Sequence, residues 1–356
     1  MPHERSEVYI GKISERDNNF FGEISMGLSF FNDYLLSLKR ESETIIIKPN
    51  ILPTEFRNNG LPVTNPKICA VVAEYLLSIG FKKIILAEGT TNNRKGEADS
   101  LEAMQNNGFM EYVHLWVPFD MNTDKVDQWF EIYSPGDEGN PDDPFDIELG
   151  ISKLACTYPI ISCAKFKTHD VLGLTLSVKN LMGCLSKARR KSTGEILHEG
   201  PLVKAYMHGY GPRNPYYLPS IELNYGPSKT ALAININRMA RNIYPAFSLI
   251  DAAPAMEGKG PIRGTEKELN LFLCSNDSAT LDAVCCNIVG INLEDNQYIK
   301  NLGRMGLGIA DPEKARLINL QNLSHLFDEE KFCFHEWYQY CKFTPQEIAL
   351  LKKYTL

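Results

Sequence analysis

Residues 44–50 read TIIIKPN, a β-branched apolar run that is followed directly by Lys48 and the turn-forming residues Pro49 and Asn50. A helical pattern follows over residues 68–79, with apolar side chains every three to four positions and Gly80 as the stop signal. Residues 83–89 then read KIILAEG, a second apolar run that leads into a polar turn. This strand–helix–strand order predicts two parallel strands joined by a helical crossover.

The same alternation continues along the chain. Further strands are predicted over residues 113–117, 158–163, 246–250 and 269–274, and helices over residues 100–108, 172–183, 229–242, 278–289 and 296–305. Because these strands are apolar throughout rather than alternating, they favour a sheet that is covered on both faces. The predicted fold class is α/β, with mostly parallel sheets, flanking helices and two closely associated halves that enclose a cleft.

The chain divides into three predicted parts. Residues 1–150 form an N-terminal α/β half, residues 151–325 a central α/β half, and residues 326–356 a peripheral helical tail. Within the first half, residues 120–148 hold ten acids and one base, Lys125. Such a charge run predicts an acidic excursion whose side chains are solvated.

The overall composition excludes several classes of protein. The 356 residues carry 37 Lys and Arg against 44 Asp and Glu, a formal charge of −7, which argues against nucleic-acid binding. Apolar runs fall short of the roughly 18 residues that a membrane helix needs. The first residues lack the apolar core of a signal peptide. We therefore expect a cytoplasmic protein with no membrane partner.

The nine cysteines predict buried thiols rather than a cofactor site. Their odd number in a chain without a leader argues against a disulfide framework. The sequence contains no Cys-x-x-Cys pair, so it carries no internal iron–sulfur motif.

Polar residues follow three of the predicted strands, where open α/β sheets bind their ligands. In the first cluster, Lys48 and Asn50 end a strand, and Thr64 precedes a helix. The Lys48 ammonium follows three isoleucines, so it needs either an anionic ligand or a paired carboxylate. Thr64 has two alternative roles, a ligand contact or the N-cap of the helix from Pro66.

The second cluster is the richest in bases. Lys165, Lys167 and His169 alternate, so an extended segment places them on one face. The polar residues that follow, spaced for a helix stripe, are Thr175, Lys179, Asn180 and Lys187. Seven bases and one acid lie between residues 165 and 191, which predicts a site for a small anion, with a solvated basic face as the alternative.

The third cluster follows a strand that ends at Asp251. It contains Glu257, Gly258 and Gly260, and the glycines permit close approach of a backbone or a ligand. A tight loop is the structural alternative.

A mixed metal site is also an open prediction. The ligands for a divalent metal would be His169, His198, Asp251 and Glu257.

Taken together, the motifs resemble those of domain-of-unknown-function family 362, over roughly residues 44–310. The residues that carry the resemblance are Lys48, Asn50, Thr64, Pro66, Lys165, Lys167, Thr168, His169, Thr175, Lys179, Asn180, Gly183, Asp251, Glu257, Gly258, Gly260, Pro261, Gly264, Asp282 and Ala283. Many members of that family carry an appended ferredoxin-like domain with two four-iron clusters, and this chain lacks the cysteines for them.

The first third of the chain is similar, more loosely, to the start of the nickel-dependent lactate racemase fold. That resemblance implies a cofactor lodged between two α/β domains and held by Lys and His. Lys167, Lys179, His169 and His198 are the matching residue types. This is an analogy at the level of the fold.

Three functions are compatible with these features. The favoured one is an enzyme for a small carboxylated or phosphorylated substrate, with His169 as general acid/base and Lys167 and Lys179 as further catalytic groups. Lys48, Asn50, Thr64, Lys165, Thr175, Asn180, Lys187, Gly258 and Gly260 would bind the substrate. The alternatives are a metal or redox protein that works with a separate ferredoxin-type partner, and a non-catalytic module that binds an anionic metabolite.

Overall fold

The β-branched run at residues 44–49 forms strand β2, which lies near the middle of a large sheet. The computed structural model describes residues 6–13, 20–53, 60–91, 99–135, 142–210, 221–319, 331–334 and 336–356. Its strands are β1 Ser6–Lys12, β2 Thr44–Pro49, β3 Lys83–Glu88, β4 Val117–Asp120, β5 Val126–Ile132, β6 Ile147–Ser152, β7 Ile160–His169, β8 Gly173–Thr175, β9 Leu185–Arg190, β10 Ile196–Glu199, β11 Phe247–Lys259, β12 Arg263–Lys267, β13 Leu271–Ser275 and β14 Ala315–Ile318.

Helices connect and cover these strands. They are α1 Phe20–Phe30, α2 Asn32–Glu41, α3 Pro66–Ser78, α4 Ser100–Asn106, α5 Lys153–Thr157, α6 Ser177–Asn180, α7 Ile221–Ala240, α8 Ser278–Ile288, α9 Gln297–Arg304 and α10 Pro345–Thr355. Short 3-10 segments include Leu181–Cys184 and Gly200–His208. The mixed α/β class predicted from the sequence is confirmed.

The main sheet has ten strands and is mostly parallel. Its central order is β14-β1-β13-β11-β7-β2-β3-β4, and β12 and β8 pair with the long strands β11 and β7. Strands β11, β7, β2, β3 and β4 run parallel to one another, whereas β13 is antiparallel to both of its neighbours. The carboxyl ends of the five parallel strands therefore meet at one edge of the sheet.

Both faces of this sheet are buried, as the continuous apolar strands predict. Ile45 and Ile47 face a core that α1 to α4 complete, whereas Ile46 between them faces the opposite core. That second core contains residues of α7, α8 and a smaller antiparallel sheet. The central strands thus lie in the middle of three layers, where apolar side chains are needed on both sides.

The smaller sheet has the strand order β10-β9-β6-β5. It contains much of the acidic segment 120–148, which we expected to be a solvated excursion. Ion pairs join its acids to the bases that follow residue 186: Arg189–Glu148 at 2.7 Å, Arg190–Asp146 at 3.4 Å and Lys191–Glu131. Opposite charges brought together across strands stabilise the sheet. Asp146 and Glu148 are largely covered in these pairs, with side chains 4% and 14% exposed, whereas Glu131 stays 34% exposed.

Three local predictions are wrong. The strand expected at residues 113–117 starts only at Val117, because turns fill the preceding residues. Residues 172–183 do not form one helix but the strand β8, the short helix α6 and a 3-10 turn. Ser100, at the start of the helix expected over residues 100–108, is the cap that the sequence suggests, but the N-cap of α4 is Asp99, whose side chain accepts hydrogen bonds from the backbone N–H groups of Leu101 and Glu102.

The three-part division of the chain stays a prediction. Strands from residues before and after 150 share both sheets. The last helix, α10, packs closely against α7, with Leu351 fully buried and Arg238 donating to the Tyr354 carbonyl at 3.1 Å. Within the described ranges, no helix is both long and apolar enough to span a bilayer.

Candidate functional site

The register of the parallel strands collects charged residues at the carboxyl edge of the main sheet. Asp251 of β11 lies beside Lys165 of β7, and Lys48 of β2 lies beside Ser162 of the same strand. Strand β3 contributes Glu88 at its last position. These strand ends lie along one edge of the main sheet, as the parallel pairing requires, and the contacts decide what each residue does there.

Lys48 is held by a carboxylate and is completely buried. Its Nζ lies 2.9 Å and 3.0 Å from the two carboxylate oxygens of Glu88, and 3.3 Å from Oδ1 of Asn180. Glu88 also accepts hydrogen bonds from the backbone N–H groups of Ile51 and Gly89. A charge pair this well satisfied contributes to the fold, so Lys48 is a structural residue and not the ligand contact we expected.

Asn50, Thr64 and Asn180 extend this network between strands. The Asn180 amide donates to the Lys48 carbonyl at 3.0 Å and accepts from the Asn50 amide at 3.2 Å. Thr64 accepts from the Asn50 backbone N–H at 2.9 Å and donates to the Cys163 carbonyl at 2.7 Å. The helix cap is Asn65, so Thr64 fastens two strand ends instead of capping α3.

Lys165 is a second buried and paired lysine. Its Nζ lies 3.0 Å from Oδ2 of Asp251, and both side chains are almost fully buried. The same oxygen accepts the Asn65 backbone N–H at 2.8 Å, and Oδ1 accepts the Ala253 N–H at 3.1 Å. Asp251 is thereby occupied by three donors, which leaves it poorly suited to bind a metal.

Lys167, Lys179, His169 and His208 form a different environment, here named the lysine–histidine cluster. Lys167 is 1% exposed, and its Nζ donates to the Pro62 carbonyl at 2.8 Å. The rings of His169 and His208 stack with centroids 6.5 Å apart. Among the described residues, neither Lys167 nor Lys179 has a carboxylate partner. Asp170 supplies a carboxylate at this cluster, with its Oδ1 3.3 Å from Nδ1 of His169. The two lysines nevertheless lack the direct carboxylate contacts that stabilise Lys48 and Lys165.

Burial and mutual repulsion weaken the charges of the lysine–histidine cluster. Burial lowers the pKa of Lys179 to about 8, although Asp170 opposes the shift. Burial, with repulsion from Lys179, holds the pKa of Lys167 and of His169 well below their ordinary values and lowers that of His208 to about 3. A bound anion would reverse these shifts because it favours the protonated lysines.

Nδ1 of His169 lies among both donors and an acceptor. It is within reach of the backbone N–H groups of Val171 at 3.1 Å and Leu172 at 3.3 Å, and of Asp170 Oδ1 at 3.3 Å. The two backbone donors favour a neutral ring with its proton on Nε2, whereas the carboxylate favours a proton on Nδ1. With the proton on Nε2, the ring can donate a hydrogen bond to an anion.

Thr175 lies next to the cluster. It sits directly opposite Lys167 in the antiparallel pair of β7 and β8, so both side chains lie on one face. Its hydroxyl is buried and has no hydrogen-bond partner in the described structure. An oxygen-rich ligand at Lys167 would supply one.

Several predicted site residues take part in other contacts. Lys187 pairs with Glu199 at 2.6 Å at the surface of the smaller sheet, and His198 lies 2.7 Å from the Tyr206 hydroxyl. Glu257 accepts the Cys333 backbone N–H at 2.7 Å. Across the described ranges, no three His, Cys, Asp or Glu side chains are grouped to hold a metal ion, so the metal site remains a prediction without geometric support.

The two glycines of the third cluster serve backbone packing. A Cβ on Gly260 would lie 1.9 Å from the Thr168 carbonyl oxygen, and Gly258 has a φ of 77° and donates to the Cys333 carbonyl at 2.8 Å. The alternative of a tight loop therefore explains both residues. These backbone contacts give neither glycine a role in ligand binding.

Three buried residues were not predicted from the sequence as candidate site residues. Glu88 was visible only as the end of a strand, and His208 had no motif around it. Lys204 is 7% exposed and donates to the Leu185 carbonyl at 2.8 Å and to the Asn122 side chain. All three come from segments whose approach to the site depends on tertiary folding, so spacing in the sequence could not reveal them.

Asp282, one of the residues that carry the family resemblance, has a structural role. Its carboxylate accepts hydrogen bonds from Ser177 Oγ at 2.5 Å, Ser177 N at 3.0 Å and Val178 N at 3.2 Å. It therefore caps α6, the helix that carries Lys179, and not its own helix α8. Burial raises the pKa of Asp282 to about 7.

This pKa predicts a pH-dependent stability. Because the folded chain binds the Asp282 proton more tightly than the unfolded chain, the resulting stabilisation is complete below about pH 4 and is lost as the pH rises through about 7. We expect Asp282→Asn, which cannot ionise, to flatten the decline in the free energy of unfolding between these pH values. Urea denaturation at several pH values measures this, and parallel profiles for the two chains would contradict it.

Comparisons with known proteins agree with the site motifs. The family model described as "Domain of unknown function (DUF362)" matches residues 45–287. The thylakoid-associated protein sll1697 of Synechocystis sp. (strain ATCC 27184 / PCC 6803 / Kazusa) is 24% identical over 279 residues, which cover 78% of this chain and 72% of that protein. No solved structure matches the chain, and nothing in these comparisons supports the looser resemblance to lactate racemase. Since the family model spans more than half of the sequence, the chain belongs to the DUF362 family.

Proposed function

We propose that this protein is an enzyme that binds a small carboxylated or phosphorylated substrate at the lysine–histidine cluster. The observation that carries the proposal is that the buried Lys167 and the half-buried Lys179 have no carboxylate at ion-pair distance in the described residues. Lys48 and Lys165 in the same fold are each paired with an acid. An anionic substrate would compensate the charges of Lys167 and Lys179, as Glu88 and Asp251 compensate those of Lys48 and Lys165.

The cluster also offers acid–base chemistry. With a pKa of about 8, Lys179 is partly neutral near physiological pH, so it can accept a proton from a bound substrate. His169 donates from Nε2 and would orient the anion, a positioning role in place of the general acid/base role expected from sequence. Lys167 would hold the anionic group. In this proposal Lys167 binds the anionic group and Lys179 transfers the proton.

Inorganic phosphate tests the binding part of this proposal. We expect phosphate to raise the melting temperature of the wild-type chain at constant ionic strength. At a phosphate concentration a hundred times Kd, the free energy of unfolding should increase by about 2.7 kcal/mol. Lys179→Met should remove most of this response while remaining folded, because it eliminates a half-buried charge that lacks a partner. Differential scanning fluorimetry gives both melting temperatures.

Lys187→Met is the matched control, since Lys187 belongs to the same basic stretch but pairs with Glu199 at the surface. It should keep the full phosphate response. A calorimetric titration in buffers with different ionisation enthalpies adds a second readout, because phosphate binding should draw protons onto Lys179. An equal phosphate response in the two variants, or binding without proton uptake, would contradict the proposed site.

A further inference from the structure

Lys179 of the lysine–histidine cluster combines a partly accessible side chain with an amine that makes no contact. It is half-buried, and in the part of the chain that the structure describes its side chain makes neither an ion pair nor a hydrogen bond. By contrast, Lys167 is 1% exposed and donates to the Pro62 carbonyl. Lys204 is 7% exposed and donates to the Leu185 carbonyl. Of these three lysines, Lys179 is the one whose side chain stays within reach of a small molecule.

The backbone that carries Lys179 is held on both sides. At the start of α6, the Asp282 carboxylate accepts the backbone N–H of Ser177 at 3.0 Å. After Lys179, the Asn180 amide donates to the Lys48 carbonyl at 3.0 Å. The side chain therefore extends from a backbone that two buried contacts fix in place, as a reacting group requires.

The surroundings of Lys179 favour its neutral amine. Burial lowers its pKa to about 8, and Asp170 opposes this shift. The charge of Lys179 in turn lowers the pKa values of Lys167, His169 and His208, which are the other basic groups that face it. At pH 7 about a tenth of the Lys179 side chains are neutral, against roughly one in two thousand for an ordinary lysine.

We propose that Lys179 is a nucleophile that forms an imine with the carbonyl group of a small oxo acid. The inference rests on the proposed function, because the same cluster must attract the carboxylate of that acid, and it narrows the substrate class. Burial and a neighbouring cationic group are the two conditions that activate a lysine for this reaction. A carboxylate bound at the cluster favours the protonated form of Lys167, which selects an anionic carbonyl compound over a neutral one.

The reaction is balanced without an oxidant or a reductant. The Lys179 nitrogen forms a bond to the carbonyl carbon, and the carbonyl oxygen takes up a proton that the nitrogen loses. The hydroxyl group of this adduct then takes up a second proton and leaves as water, while the nitrogen lone pair forms the C=N bond. The Asp170 carboxylate can deliver that proton and recover one from the nitrogen, since it is 42% exposed and lies 3.3 Å from the His169 ring at the cluster.

Pyruvate with sodium cyanoborohydride is the probe, because this reductant converts an imine into a stable secondary amine. Acetone, the same ketone with a methyl group in place of the carboxylate, is the control compound. We expect peptide mass spectrometry of the full chain, treated at pH 7, to find at least about tenfold more label from pyruvate on Lys179 than on Lys187. This excess should shrink as the pH approaches 10, where ordinary lysines also lose their protons. The ratio of pyruvate to acetone labelling should be several-fold higher at Lys179 than at Lys187, and phosphate should protect Lys179.

Two variants complete the test. Lys179→Arg keeps the charge but cannot form an imine, so the intact chain should lose the rapid, saturable incorporation of one pyruvate and keep part of its phosphate response. Lys187→Met should retain both. Absence of label on Lys179, or equal pyruvate to acetone ratios at the two lysines, would overturn the inference. If phosphate still stabilises the chain in that case, the imine alone is rejected; if phosphate neither stabilises the chain nor protects Lys179, the anion site is rejected with it.

Discussion

Gly183→Ala is expected to lower the free energy of unfolding by about 3 kcal/mol or more, the cost of disrupting a buried ion pair. A Cβ at this position would lie 1.9 Å from the Glu88 carboxylate oxygen and 2.7 Å from the Lys48 ammonium. Either the pair separates or the turn that carries Gly183 moves. Urea denaturation followed by circular dichroism measures the loss.

Gly194→Ala provides the control for the Gly183 substitution. Gly194 has a φ of 75°, and a Cβ there would meet no atom within 4 Å. Its replacement should cost only about 1 kcal/mol, the strain of a left-handed backbone. If Gly183→Ala were no more harmful than this control, the close packing of the turn on the ion pair would be refuted.

Lys48→Met should be equally damaging, with an expected cost of about 3–5 kcal/mol. The substitution leaves the Glu88 carboxylate buried with only backbone donors, those of Ile51 and Gly89. The double variant Lys48→Met with Glu88→Gln removes the stranded charge and should recover most of the stability. Free energies of unfolding for the wild type, both single variants and the double variant complete the cycle.

A comparison of Lys48→Met with Lys179→Met also tests how the lysines of this fold divide into structural and ligand-binding groups. A paired lysine such as Lys48 should be costly to remove, whereas Lys179, without a partner in the described residues, should not be. If the double variant remained as unstable as Lys48→Met alone, the stability of the network would come from something other than the charge pair.

The sequence was informative where local signals agree with the fold. The run at residues 44–47, the helix over residues 68–79 and the strand from Lys83 each occur close to the predicted place. The lysine after three isoleucines correctly indicated that a carboxylate or a ligand must compensate it. Which carboxylate does so depends on the pairing of β2 with β3, and that pairing is a tertiary property.

The failures have the same physical origin. The polar stripe at every fourth residue from Thr175 to Lys187 suggested one helix, but these residues are divided among β8, α6, a 3-10 turn and β9. The basic excess at residues 189–191 looked like an anion site because its acidic partners lie more than forty residues earlier in the chain. Residues whose charges compensate each other in the folded structure can lie far apart in the sequence.

The position of β1 has a consequence for biosynthesis. This strand lies between β13 and β14, so Tyr9 pairs with Cys274 on one side and Ile318 on the other. Both neighbours come far later in the chain than β1, at Leu271–Ser275 and Ala315–Ile318, and such distant pairings slow folding. During synthesis, β1 therefore lacks both partner strands until the intervening chain has been made, a stage at which unpaired strand edges favour aggregation.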